Sequence, residues 1–468
     1  MNEFTSALDT AAAIRRKEVS PLEVLEATLG RVDRRNPELN AIIWRNDTAA
    51  LAEAKALGDR IVADGTDDLP PFAGVPIPIK DLCAVEGQPL TYGSLGAPDE
   101  LSDHSDLVVD AFRHAGFILT GRTNTPEFGS ITVTENLRYG PTRNPWNPDH
   151  TSGGSSGGAG TAVASGMFSV AHASDGGGSI RIPSSCCGLV GLKPSRGRVP
   201  SLIPAWQGMV TDGVVCLTVA DAAALLDVMS VYDPGAWWNA PAPAAPFATH
   251  PGKDPGPLRV ALNTVSALGI PVADEAVAAV EATGKLLEQG GHHVERLDAD
   301  LFDAESLAPF FHVVTAGLAE NPGIDWEKVE PNNRASYATA RAVDSLTFTA
   351  SVADLHRLTR GIVARWGSEF DLLVTPTMAI EPPPVGVLAA VHEFPELPAL
   401  EVMSMAAFTA VFNMTGQPAV SLPLHTAASG LPVGVQLVAG PWEDGRLLQV
   451  AAQLEAAAPW SGRHPVVR

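Results

Sequence analysis

Two glycine-serine loops lie close together in this chain, Gly153-Gly154-Ser155-Ser156-Gly157-Gly158 and Gly176-Gly177-Gly178-Ser179-Ile180-Arg181. Glycine loses more conformational freedom on folding than any other residue, so such clusters mark places where backbone N–H groups must approach something closely. Hydroxyls offered on loops of this kind suggest acyl transfer. A serine hydroxyl is a poor nucleophile at neutral pH and must pass its proton to a neighbour as it attacks. Lys80 is a candidate acceptor, because it ends the apolar run Val75-Pro76-Ile77-Pro78-Ile79, and a lysine accepts a proton only when burial or a neighbouring charge makes it neutral. Taken alone, Lys80 reads more simply as a solvated side chain paired with Asp81.

Other chemistries fit these residues less well. Neither loop continues into the Lys-Ser/Thr of a phosphate-binding loop, and neither completes a dinucleotide fingerprint between a strand and a helix. Gly153-Gly154-Ser155-Ser156-Gly157 satisfies G-x-S-x-G to the letter, but that motif needs a hydrophobic strand before it. Here the polar, proline-broken stretch from Asn144 to Ser152 precedes it. A Ser-x-x-Lys pair is excluded because Ile77 stands three residues before Lys80. The cysteines Cys83, Cys186, Cys187 and Cys216 have no metal-ligand spacing and read as reduced packing residues.

The elements that must position these groups follow from the patterning. Ser20-Pro21-Leu22-Glu23 is a capping box opening a helix with Leu22, Leu25, Leu29 and Val32 on one face. A second amphipathic helix is expected over 48–62. Val75 to Lys80 reads as a short strand that its prolines confine to an edge or an irregular place in a sheet. Helices over 105–115 and after Gly158 alternate with strands over 117–120 and 167–173, and Pro183 reads as a sharp stop after the second glycine loop. Thr218 caps a helix running to Met229. The Pro-, Ala- and Gly-rich stretch 233–257 reads as a surface connection, after which 258–262, 273–289 and 370–374 resume the alternation. This predicts an α/β protein whose sheet is covered on both faces by helices, with the two lobes on either side of 233–257 belonging to one fold.

At 468 residues the chain can bury a substantial core, and its 45% apolar and 18% charged residues give the balance of a globular protein. The net charge of −22 opposes binding to nucleic acid or an anionic membrane surface. No stretch reaches the roughly 18 apolar residues of a membrane span, and no basic-then-apolar leader opens the chain. The expected compartment is the cytoplasm.

The residues now resemble the amidase signature family. The match runs through Gly153 to Gly158, then Asp175-Gly-Gly-Gly-Ser-Ile-Arg-Ile-Pro183, then Cys187-Gly-Leu-Val-Gly-Leu-Lys-Pro194. Outlying blocks, Phe72 to Asp81, Gly121 to Phe128 and Asn413 to Pro423, agree in order and spacing, so the likeness covers nearly the whole chain. It implies one large domain over 1–468 with a mixed, twisted central β-sheet covered on both faces by α-helices, and residues 72–200 as its catalytic core. It implies a nucleophile at Ser179, a bridging serine at Ser155 behind a cis Gly154–Ser155 bond, and a base at Lys80. It also implies an oxyanion hole from the N–H groups of Gly176, Gly177, Gly178 and Ser179, with no metal and no organic cofactor. Gly129, Ser130 and Ser156 are expected at the substrate, Thr132 and Thr134 beside it, and Asp175 and Arg181 holding the loop. The chain departs from the family's pattern at Leu217, where arginine is usual, and at Gly176, where threonine or isoleucine is common.

The function so implied is hydrolysis of small linear or cyclic amides, in the manner of bacterial general amidases that include enzymes of nylon-type oligomers. Dimers are common in the family, so a homodimer is compatible with this reading. Two others stay open: the glutaminase subunit of a tRNA-dependent amidotransferase, and a degenerate binding protein that kept the fold. The variable stretches 203–215 and 307–340 are expected to shape the pocket. Trp206, Trp326 and Tyr337 are candidate aromatic walls there, although core packing suits each of them better.

Overall fold

Helix starts fall where the sequence places caps. Glu23 N–H donates to Ser20 Oγ at 3.2 Å while Ser20 N–H donates to Glu23 Oε2 at 2.8 Å, so helix Pro21–Leu39 opens with reciprocal satisfaction of its free amides. Its buried side carries Val24, Leu25, Leu29 and Val32. Thr218 caps helix Val219–Met229 in the same way by accepting from Asp221 N–H at 3.0 Å. The computed structural model describes residues 3–98, 100–302, 307–397 and 399–466.

The strands in chain order are β1 (Ile42–Arg45), β2 (Pro76–Lys80), β3 (Ile118–Thr123), β4 (Val170–Asp175), β5 (Val190–Lys193), β6 (Thr211–Cys216), β7 (Arg259–Leu262), β8 (His293–Arg296), β9 (Leu372–Pro376), β10 (Ala419–Thr426) and β11 (Pro432–Ala439). Eight of them form one mixed sheet in the order β4-β6-β5-β10-β11-β9-β7-β8. Its neighbours are antiparallel as far as β9, and β9-β7-β8 are parallel. Successive side chains in a strand point to opposite faces, and here they enter different cores. Val170 and Val214 join the cluster under helices Val219–Met229 and Asp444–Ala457. Ala171, Ala173 and Val215 join the one under helices Gly157–Ala164 and Arg181–Cys187. Helices therefore cover both faces of the sheet.

The prolines of β2 explain why the ladder stops beside β4. The remaining strands form a separate sheet, β1-β3-β2, in which β2 is an edge with a register break between Ile77 and Pro78. Pro76, Pro78 and Lys80 share one parity, so their nitrogens face the edge away from β3. The prolines have no N–H to offer there. Only Lys80 N–H reaches across, donating to His172 Nδ1 of β4 at 3.3 Å. One sequence expectation is corrected: Pro183 does not stop the chain. It occupies the first turn of helix Arg181–Cys187, where a helix has no intrahelical partner for an N–H in any case.

Candidate active site

Strand β2 delivers Lys80 into a dry position. Its Nζ lies 2.8 Å from Ser155 Oγ, 3.2 Å from Ser174 Oγ and 3.3 Å from Ser174 O. Burial pulls its pKa down to about 7, against the nearby carboxylates of Asp175 and Asp212, which favour the ammonium. A neutral amine has two N–H donors and one lone pair. The carbonyl and hydroxyl of Ser174 can take the donors, which leaves the lone pair to receive the Ser155 O–H. His172 Nδ1 accepts from Lys80 N–H, so the ring carries its proton on Nε2, which faces Asp212 Oδ1 at 3.1 Å. The Gly154–Ser155 peptide is cis.

The second loop is anchored from behind. Arg181 Nε and Nη2 each donate to Asp175 at 2.9 Å, and its Nη1 donates to Gln436 Oε1 at 2.6 Å and to Thr409 O at 2.9 Å. Asn413 Nδ2 donates to Asp175 O at 2.8 Å and to Oδ1 at 2.9 Å. Burial alone would raise the Asp175 pKa, but the Arg181 charge overrides it and holds the carboxyl well below the usual range. Asp175 and Arg181 therefore hold the loop, as expected. Removing one partner of a buried, hydrogen-bonded ion pair leaves the other uncompensated. Arg181→Met is expected to destabilise the fold by about 3–5 kcal/mol, read as a lower urea midpoint at unchanged m-value.

One of the expected oxyanion donors is corrected. Gly178 N–H donates to Asp175 Oδ1 at 2.8 Å and is engaged inside the loop. Among the described residues no acceptor takes the N–H of Gly176, Gly177 or Ser179. Ser179 faces the same cavity as Ser155, a space of about 320 Å³ that Gly129, Ser174 and Gly176 also line. Gly129 is needed as glycine: its φ is +67°, and a Cβ there would stand 2.7 Å from Leu82 Cδ1 and 3.0 Å from Ser155 Oγ.

Other expected substrate contacts go elsewhere. Ser156 is corrected from substrate to scaffold: it is fully buried, and its Oγ donates to Ser174 O at 3.2 Å, across from β4. Ser130 lines a neighbouring chamber and not the cavity at Ser179. Thr134 accepts from Gly157 N–H at 3.0 Å and donates to Gly153 O at 2.8 Å, and Thr132 donates to Val402 O at 3.2 Å. Trp326 and Tyr337 stack on each other at 3.8 Å and back Phe128 from behind, whereas Trp206 lines the cavity itself.

Sequence reasoning missed the acidic side of this cavity. Asp106, Asp212 and Glu320 line it, with no lysine or arginine among its lining residues. Burial pushes the Asp106 carboxyl up, reinforced by Asp212, while its Oδ2 accepts from Ala84 N–H at 2.7 Å. These positions are far apart in the chain and carry no motif, so only the fold brings them together. Among the described residues no group of three or more histidine, cysteine, aspartate and glutamate side chains could hold a metal ion, and no helix is long and apolar enough to cross a membrane.

An α/β fold that sets one serine hydroxyl against a buried amine and a second on a glycine loop with free amides defines a site suited to acyl transfer. Comparison with known proteins then supplies the family. The amidase family model matches residues 23–448, and the chain belongs to that family of amide-hydrolysing enzymes. It is 38% identical to the 6-aminohexanoate-cyclic-dimer hydrolase of Paenarthrobacter ureafaciens, over 99% of this chain and 96% of that protein. The solved structure of a 6-aminohexanoate cyclic dimer hydrolase complexed with substrate superposes with a TM-score of 0.92 at 34% identity over 100% of both chains. A bacterial aryl acylamidase of the amidase signature family superposes at 0.88 with 26% identity, over 98% of this chain and 97% of that one.

Proposed function

We propose that this chain is a serine amidase that cleaves small linear or cyclic amides to acid and amine through an acyl-enzyme on Ser179. The observation that carries the reading is the buried Lys80 amine 2.8 Å from Ser155 Oγ, with Ser179 on the wall of the same cavity. In this mechanism Ser179 Oγ attacks the amide carbonyl and gives its proton to Ser155, whose own proton moves to the Lys80 lone pair. The N–H groups of Gly176, Gly177 and Ser179 receive the developing oxyanion. The C–N bond breaks as the proton returns along the same line to the leaving nitrogen. Water then attacks the ester carbonyl with the same relay and frees the acid.

Relatives named for a cyclic amide dimer support the substrate class, and an intact set of Lys80, Ser155 and Ser179 counts against a degenerate binding protein. The purified chain, eluting without a second subunit, is expected to turn over members of an amide panel that includes the 6-aminohexanoate cyclic dimer. Turnover of glutamine alone, or turnover only when a partner chain is added, would instead favour the amidotransferase glutaminase.

A further inference from the structure

We propose that Trp206 sets how far an aliphatic arm of the amide substrate can extend from Ser179, by closing the cavity there against an apolar chamber behind it; this rests on the amidase reading above. The cavity measures about 320 Å³ and the chamber about 390 Å³, each of the size that takes part of a small ligand. Phe128, Trp206, Gly317 and Asn321 line both, so they form the wall between them. Beyond that wall the chamber offers Ile131, Phe311, Val314, Leu318 and Val402. These five make a surface for methylene groups, while Asn332, Ser336, Thr339 and Glu396 give another side of the chamber a polar lining.

The indole is held in this wall from two directions. Trp206 has φ +52° and Gln207 has φ +57° within the turn Ala205–Gly208, a conformation unfavourable to residues with a Cβ. It is secured in part by Trp206 N–H donating to Glu320 Oε1 at 3.2 Å. The second hold is space. A Cβ on Gly176 would lie 2.6 Å from Trp206 Cζ3, and a Cβ on Gly317 would lie 2.2 Å from Trp206 Cδ1. Neither glycine has a positive φ, so the backbone does not require glycine at either place. The ring does. This accounts for Gly176 standing where a larger residue is common in the family: the side chain missing from the loop before Ser179 is the room that the indole fills.

An arm bound in the cavity therefore meets the ring as its end stop. Calorimetric titration of linear aliphatic carboxamides of four to twelve carbons, into the intact chain carrying Ser179→Ala to prevent turnover, reads this directly. With Trp206 present, affinity is expected to stop rising once the arm reaches the indole. With Trp206→Ala added, it is expected to keep rising by about fourfold per methylene, the transfer gain of a buried CH₂. Gly317→Ala displaces the ring without removing it and is expected to move the break point; it decides the matter if Trp206→Ala does not fold. Chain-length profiles that coincide with the parent's in the folded variant overturn the proposal. Turnover of the same amides by the unaltered chain judges the amidase reading separately: no turnover with a movable break point sinks only that reading, and turnover with an unmoved break point sinks only this one.

Discussion

Ser179→Ala is expected to lower kcat by at least about a hundredfold, toward the residual rate that binding and oxyanion stabilisation alone support, with little change in thermal stability. The two halves of this expectation have different origins. Chemistry is lost because the neighbouring hydroxyls are engaged elsewhere: Ser156 is turned to the Ser174 carbonyl, Ser201 donates to Ile203 O, and Ser155 already sits on the Lys80 amine. The fold is spared because the anchoring bonds of this loop belong to Asp175, Arg181, Asn413 and Thr409, none of which involves the Ser179 side chain. Steady-state kinetics on an amide, together with labelling by an alkyl fluorophosphonate, would check it. A folded Ser179→Ala variant that keeps full rate and full labelling would remove Ser179 from the nucleophile's role.

The parts of this molecule that were legible beforehand are those governed by local rules. Ser20, Glu23 and Thr218 announced their helices by capping chemistry, and the strand ending at Lys80 announced its irregular pairing through Pro76 and Pro78. The glycine loops announced a close backbone approach. What stayed hidden depends on the whole fold. Gly178 is one more oxyanion donor by resemblance, yet Asp175 takes its N–H, and Ser156, expected at the substrate, turns instead to Ser174 of β4. Pro183 is a stop signal in most contexts, yet at a helix's first turn its missing N–H costs nothing. Trp206 read as core because apolar aromatics usually are, and its role as a wall depends on space left by Gly176 and Gly317, 141 positions apart along the chain (317 minus 176). Helices Ala308–Ala316 and Pro331–Ala342, which supply much of the apolar chamber, fall almost wholly within 307–340, a stretch whose pattern marked it only as variable.

Replacing Lys80 by methionine is expected to remove the rising limb of the pH–kcat/KM profile, whose midpoint in the parent should lie near 7. On the proposed mechanism the limb arises because only the neutral amine can receive the Ser155 proton, and burial brings the Lys80 pKa down to about 7. The same depression has a consequence for stability. Between the folded value near 7 and the ordinary value of 10.5, the unfolded chain holds a proton that the folded chain has released, so stability rises with pH across that window. Below the window both states are protonated, and the folded one carries a buried ammonium at a cost of roughly 1.4 kcal/mol per unit of depression. Lys80→Met should therefore be more stable than the parent at pH 6, by an amount that fades as pH climbs toward 10.5, while being far less active. A loss of activity joined to a gain in stability distinguishes a group kept for chemistry from one kept for packing. Lys193 supplies the control. It is buried, with its pKa also lowered to about 7, by burial first and then by Arg181, but its Nζ donates to Pro194 O at 2.8 Å and it does not line the cavity. Lys193→Met should share the stability signature and leave the midpoint of the rate profile where it was. A limb that survives in Lys80→Met, or that moves with Lys193→Met, would assign the base to another group.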